Sequence, residues 1–268
     1  MNASTTRSLM PWPVAAPMPV GRIVRAYVHE VKYECLRLLR APAFSFPFLL
    51  LPVPVYLFFG VMLAAPAVAK NPGVANYLLS GFSVFGVMGP ALFGAACVLA
   101  VEREAGLLKL KRALPAPVGS YLIAKMVMAM VFAGLAVLAL LVAGIFVGKV
   151  SLTALQLSIV LVVMTIGAIP FAAFGLFIGA HVSGSAAPAF ANLLFLPMMW
   201  LSGLFIPLPK FLERLAVIWP AFHLNQVALG FAGVREFSFV SPLISAAVLV
   251  GVTVIFGGLA IRRLARLG

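Results

Sequence analysis

The stretch Glu102–Lys125, EREAGLLKLKRALPAPVGSYLIAK, decides how this chain is read. It holds two of the six acidic residues and five of the nineteen lysines and arginines. On either side lie apolar runs, Tyr77–Val101 and Met126–Val147, each long enough to cross a bilayer. A segment so charged cannot sit in hydrocarbon, so it reads as a loop in water with a short amphipathic core. On a helical wheel Leu107, Leu110 and Leu114 share one face, while Lys109 and Arg112 point the other way. Pro115 and Pro117 stop that helix before the next span begins. Two roles fit such a loop: a grip for something in the cytoplasm, or a solvated positive segment that only sets orientation.

Composition fixes the class. Of 268 residues 64% are hydrophobic and 9% charged, with a mean hydropathy of +1.16. Soluble domains carry about 25% charged residues, so the expectation is an all-α integral membrane protein. The net charge of +13 does not indicate nucleic acid, because the charges collect in short flanks of spans rather than on a folded soluble face. There is no Asp, and Cys35 and Cys97 are far apart with no CxxC spacing, which argues against redox or zinc chemistry. Pro11, Pro13, Pro17 and Pro19 break any signal-peptide core, so residues 1–20 read as a disordered cytoplasmic tail.

Residues 21–268 then form one transmembrane domain. From Gly21 to Arg40 apolar residues recur with helical spacing among Arg22, Arg25, Lys32 and Arg37, with Glu30 and Glu34, the pattern of a basic amphipathic helix lying in the headgroups. Six spans are expected, at about residues 43–69, 77–101, 126–147, 153–180, 188–205 and 240–261. Pro47, Pro52, Pro54 and Pro66 should kink the first span, Pro170 the fourth and Pro197 the fifth. Between the last two spans, Lys210–Trp219 and Phe222–Phe231 read as helices split by Pro220, each too short to cross, and therefore interfacial or re-entrant. With the N-terminus inside, fourteen lysines and arginines fall on the inner side and five on the outer. That asymmetry predicts cytoplasmic N- and C-termini.

No Lys, Arg, Asp or Glu lies near the centre of any expected span. Ion-driven transport needs a group that binds and releases the ion within the membrane, so an ion-driven transporter is disfavoured. The chain also lacks GxxxxGK[ST], so any motive force must come from another subunit. Both points lead back to the loop. There, Glu102-Arg103-Glu104-Ala-Gly106, a Leu-rich basic turn, proline, then Tyr121 and Lys125 resemble the loop of ABC-2 type transporter permeases. Those usually read ERE-x-G-T-x-E; here Leu107 replaces the Thr and Lys109 the acid. Leu201–Pro209, LSGLFIPLP, with Pro220 and His223 downstream, resembles the family's short re-entrant helices.

The resemblance implies a non-catalytic permease subunit in the bacterial inner membrane, exporting its substrate. Two permease chains, expected to be identical, would pair with two ATP-binding subunits. ATP and Mg would be bound by those partners, with no cofactor in this chain. The loop would be a coupling helix set in a groove of the ATPase, with Glu102, Arg103, Glu104, Gly106, Leu107, Leu110 and Leu114 carrying it. The leucines would bury, Gly106 would permit the turn, and the acids would pair with basic partners. The absence of an ionisable path suits a hydrophobic or amphipathic substrate. An ATPase-independent transporter or channel subunit and a membrane anchor or assembly protein remain open alternatives.

Smaller features have plainer readings. His223 and Trp219 read as interfacial anchors sooner than as a gate. Gly144-x-x-x-Gly148 and Gly175-x-x-x-Gly179 carry low weight as helix contacts, because such pairs arise by chance in glycine-rich spans. Phe82, Phe85, Phe93, Phe171, Phe174 and Phe177 read as packing or lipid exposure rather than as a substrate path.

Overall fold

The computed structural model describes residues 19–113, 118–206 and 214–266. Within them the regular structure is helical and no strand occurs. We label the main helices α1 (Val20–Leu39), α2 (Pro42–Leu63), α3 (Gly73–Glu104), α4 (Leu107–Ala113) and α5 (Val118–Phe146). They are followed by α6 (Ala154–His181), α7 (Ala187–Leu201), α8 (Pro220–Phe231) and α9 (Pro242–Arg266). Among the described residues α2, α3, α5, α6 and α9 are long and apolar enough to cross a membrane. The chain is an all-α membrane protein.

The central rod is α3, whose 32 residues extend about 48 Å at the helical rise of about 1.5 Å per residue. Polar anchors at its two ends give the path of the other helices. At the Tyr77 end, Asn76 bonds Ser151 at 3.0 and 3.1 Å, beyond the end of α5. At the same end Tyr77 donates to the carbonyl of Gly203. At the other end Arg103 donates to the carbonyls of Ala180 and Val182, where α6 finishes. Glu104 there accepts from the Gly184 amide at 2.9 Å. Thus α5 and α6 run in opposite directions along α3, and residues 184–203 return along its whole length. For α2, Phe44 rests on Phe132 and Tyr56 on Phe82, so that helix starts near the Glu102 end and rises. Since α9 places Phe256 against Phe174 and Phe177 at 4.0 and 5.3 Å, its basic end continues toward the Glu102 face.

Small residues let these rods touch. A Cβ on Gly179 would stand 2.6 Å from the Ala96 carbonyl, and one on Gly175 would collide with the Leu92 carbonyl. The α3–α6 contact is therefore backbone against backbone, as small-xxx-small spacing allows. Gly175-x-x-x-Gly179 thus marks a real helix contact, despite the low weight its spacing earned. Gly144 likewise lies against Leu79. The phenylalanines pack as expected: Phe82 and Phe171 are fully buried, and Phe85 and Phe93 both meet Phe195.

Elsewhere the breaks differ from the sequence expectation. The first span reaches only Leu63 and ends as a π-helix, Tyr56–Leu63, with Pro66 in a separate turn, Ala65–Lys70. Pro47, Pro52 and Pro54 each lack an N–H, and the widened turn takes up the interrupted ladder. The fourth span breaks at Gly167 rather than at Pro170. The reason is that Pro170 has no N–H for the Ile166 carbonyl four residues earlier. The expected fifth span, 188–205, is helical only over α7, 15 residues, so among the described residues five helices rather than six meet the crossing length. Gly203 at φ +64° ends that element, and its carbonyl takes the Tyr77 hydroxyl. Of the expected helix Lys210–Trp219, residues 210–213 lie outside the described residues; 214–216 are helical and 217–219 are a turn and bend. Pro220 divides the two pieces as expected, and α8 begins at it rather than at Phe222, since proline at the first helical position loses nothing.

Candidate functional site

The site grows from the end of α3. Ala105 caps the helix, and Gly106 turns the chain with φ +74°, a left-handed value that suits glycine. Then α4 runs Leu107–Ala113. Leu114 lies outside the described residues. Leu108 turns inward onto the core, while Leu107 and Leu110 are 40% and 61% exposed and Lys109 is exposed beside them. Two exposed leucines at i, i+3 make one apolar stripe. The stripe lies past the end of α3, next to charged side chains.

Behind α4 is a buried ionic cluster. Lys125, on α5, is completely enclosed, with its Nζ 2.7 Å from Glu34 and 2.9 Å from Glu102. Arg37 reaches Glu102 directly and Glu34 at 3.5 Å. Tyr121 donates its hydroxyl to Glu102, and the ammonium groups of Lys111 and Lys125 stand 4.5 and 4.6 Å from its ring centre. Two carboxylates meet two cations, so the cluster is neutral, and each charge has a hydrogen-bonding partner. Burial alone would lower the Arg37 guanidinium, but the Glu34 and Glu102 carboxylates outweigh it and hold its pKa above the ordinary value. A further pair, Lys111 with Glu30, ties α4 to α1.

The three charged residues of Glu102-Arg103-Glu104 thus have partners within the chain. Glu102 joins α1 and α5, Arg103 fills the open carbonyls at the end of α6, and Glu104 holds the turn before α7. Their local effect is to fix the base from which α4 projects. The structure brings Tyr121 and Lys125 to the same place as Glu102. It adds Glu30, Glu34 and Arg37, which the amphipathic reading of α1 left among its polar residues, and Lys111 of α4. Glu34 and Leu38 are the buried residues of α1, and Glu30 is half-buried beside Lys111, so carboxylates lie on the bundle-facing stripe. The available signal was the spacing of Glu30, Glu34 and Arg37, which puts all three on one side of a helix. Val24 and Val28 face away and stay exposed.

His223 is not an interfacial anchor: it is buried, with Nε2 2.8 Å from the Val217 carbonyl and Nδ1 3.2 Å from Ser245 Oγ. Burial pushes its pKa below the ordinary value, with the Val217 bond opposing, so the neutral ring donates to Val217 and accepts from Ser245. This staples α8 to α9.

Comparison with known proteins agrees with this layout. Residues 26–239 match the family model of the ABC-2 type transporter. YvfS of Bacillus subtilis (strain 168), named as a transport permease, is 25% identical over 198 residues, covering 73% of this chain and 80% of that protein. The braced loop, the bundle of apolar helices and the match across most of the chain lead to one conclusion: this protein belongs to the ABC-2 type transporter family and is a membrane permease subunit.

Proposed function

We propose that this chain is the membrane-spanning half of an exporter driven by ATP that a separate subunit binds, with Mg, and hydrolyses. The observation that carries the reading is the pairing of an exposed leucine stripe with a rigid base. Leu107 and Leu110 face outward on α4, while the cluster of Glu34, Arg37, Glu102, Tyr121 and Lys125 fixes α4 from behind. A helix seated in a groove transmits a push only if it cannot swing on its own stem, and these bonds supply the stem. In this reading Leu107, Leu110 and Leu114 enter the ATPase groove. Gly106 sets the turn, and Glu102, Arg103 and Glu104 act indirectly by holding the base.

The same reading puts α1, α4 and the basic end of α9 on the cytoplasmic side of the bacterial inner membrane. Residues 184–203 make the sixth crossing, since their ends are bonded to opposite ends of α3. A second copy of the chain completes the pathway, residues 21–268 act as one transmembrane unit, and the cargo is hydrophobic or amphipathic. The test is Leu110→Glu in proteoliposomes with the ATP-binding subunit. ATP-driven transport should fall to background while membrane insertion and the thermal unfolding profile stay normal. Transport at the wild-type rate would remove the coupling assignment.

A further inference from the structure

At the end of the bundle opposite the loop, a cavity of about 230 Å³ is lined by Tyr77, Ser202, Arg214, Phe222, Asn225 and Phe239 among others. Three of its acceptors, Asn225 Oδ1, Gln226 Oε1 and the Gly203 carbonyl, are already engaged, so what it has to offer is chiefly donors. Ser202 Oγ is enclosed, the residue being 2% exposed, and has no hydrogen-bond partner. A buried hydroxyl left unmatched is costly and calls for a cause. Asn225 Oδ1 accepts from Ser80 at 2.6 Å, which leaves its NH₂ group to offer. The Gln226 carbonyl oxygen accepts from the amides of Phe239 and Val240 at 2.7 and 3.3 Å, and the Gly203 carbonyl takes Tyr77. Arg214 adds a full positive charge at the exposed rim, and among the described residues no carboxylate pairs with it. Phe222 and the exposed Phe239 supply an apolar flank at the entrance to α9.

We propose that this cavity binds the anionic, acceptor-rich headgroup of an amphipathic molecule. Arg214 meets the charge, Ser202 and Asn225 donate to headgroup oxygens, and Phe239 lies along the apolar chain. The assignment deepens the export reading and rests on it for the outer position of the cavity and for the class of cargo. Two sources share the chemistry, an anionic membrane lipid and an exported amphiphile. The experiment titrates dodecyl phosphate onto the purified full-length chain in phosphatidylcholine nanodiscs, with dodecanol as the uncharged control. The expected result is at least tenfold tighter binding of the phosphate, and at least a tenfold loss in Arg214→Gln, a surface change that spares the fold. Ser202→Ala should weaken binding several-fold while raising the melting temperature of the ligand-free chain, because it removes the unmatched hydroxyl. Equal binding of dodecanol, or unchanged affinity in Arg214→Gln, would overturn the site. Phosphatidylglycerol in the nanodisc should compete if a lipid is the occupant and leave the titration unmoved if only cargo is. Because binding is read without the ATP-binding subunit, failure here and failure of ATP coupling register separately.

Discussion

Lys125 is the residue on which the inner end of the bundle depends. It is fully enclosed, and its ion-pair partners among the described residues are Glu34 and Glu102. Replacing it with Met would leave two buried carboxylates with only Arg37, half-exposed at the edge of the cluster, to share between them. Loss of one partner from such a pair costs about 3–5 kcal/mol. Lys125→Met should therefore lower the unfolding temperature sharply in detergent, and adding Glu34→Gln should restore part of the loss. An unchanged melting curve would mean that water reaches the cluster. Half of this site was legible in the sequence. Glu102, Tyr121 and Lys125 came from resemblance to a family loop. Glu34 and Arg37 did not, because amphipathic logic assigns glutamates to solvent. The burial of Glu34 depends on Lys125 of α5 and Arg37 of α1 meeting it at one depth, which the spacing within a single helix does not encode.

Among the helices, the tightest join is between α3 and α6. Gly179→Val would press a branched side chain into the Ala96 carbonyl. Overpacking of this kind costs typically about 1–3 kcal/mol, and here the obstacle is backbone, which cannot rotate away. The variant should unfold at lower temperature than Gly258→Val, where a Cβ meets nothing within 4 Å. Similar melting for the two would show that α3 and α6 stand further apart than described. Helix existence and order were legible because long apolar runs separated by charged or proline-rich turns have few alternatives. Helix interruptions were read less well. A proline disturbs the carbonyl four residues before it, so the break of α6 falls at Gly167 and not at Pro170. The short α7 was misjudged in length because its apolar composition continues past Gly203, where the backbone has already turned.

For the whole molecule, the account requires a fixed sidedness. Lys109 belongs to the face that holds α1 and the end of α9, while Lys149 and Phe239 belong to the opposite end. With Cys35 and Cys97 changed to Ala, a cysteine at 149 or 239 should react with a membrane-impermeant maleimide in intact cells. A cysteine at 109 should react only in inverted vesicles, and the reverse pattern would invert the topology. The central claim, that a braced α4 delivers the force of an ATPase to the bundle, is tested most directly by a photo-reactive residue at position 110 in cells that also make the ATP-binding subunit. The account predicts an adduct with that subunit from position 110 and none from position 239. An adduct from position 239 alone, or none from position 110 while transport continues, would contradict it.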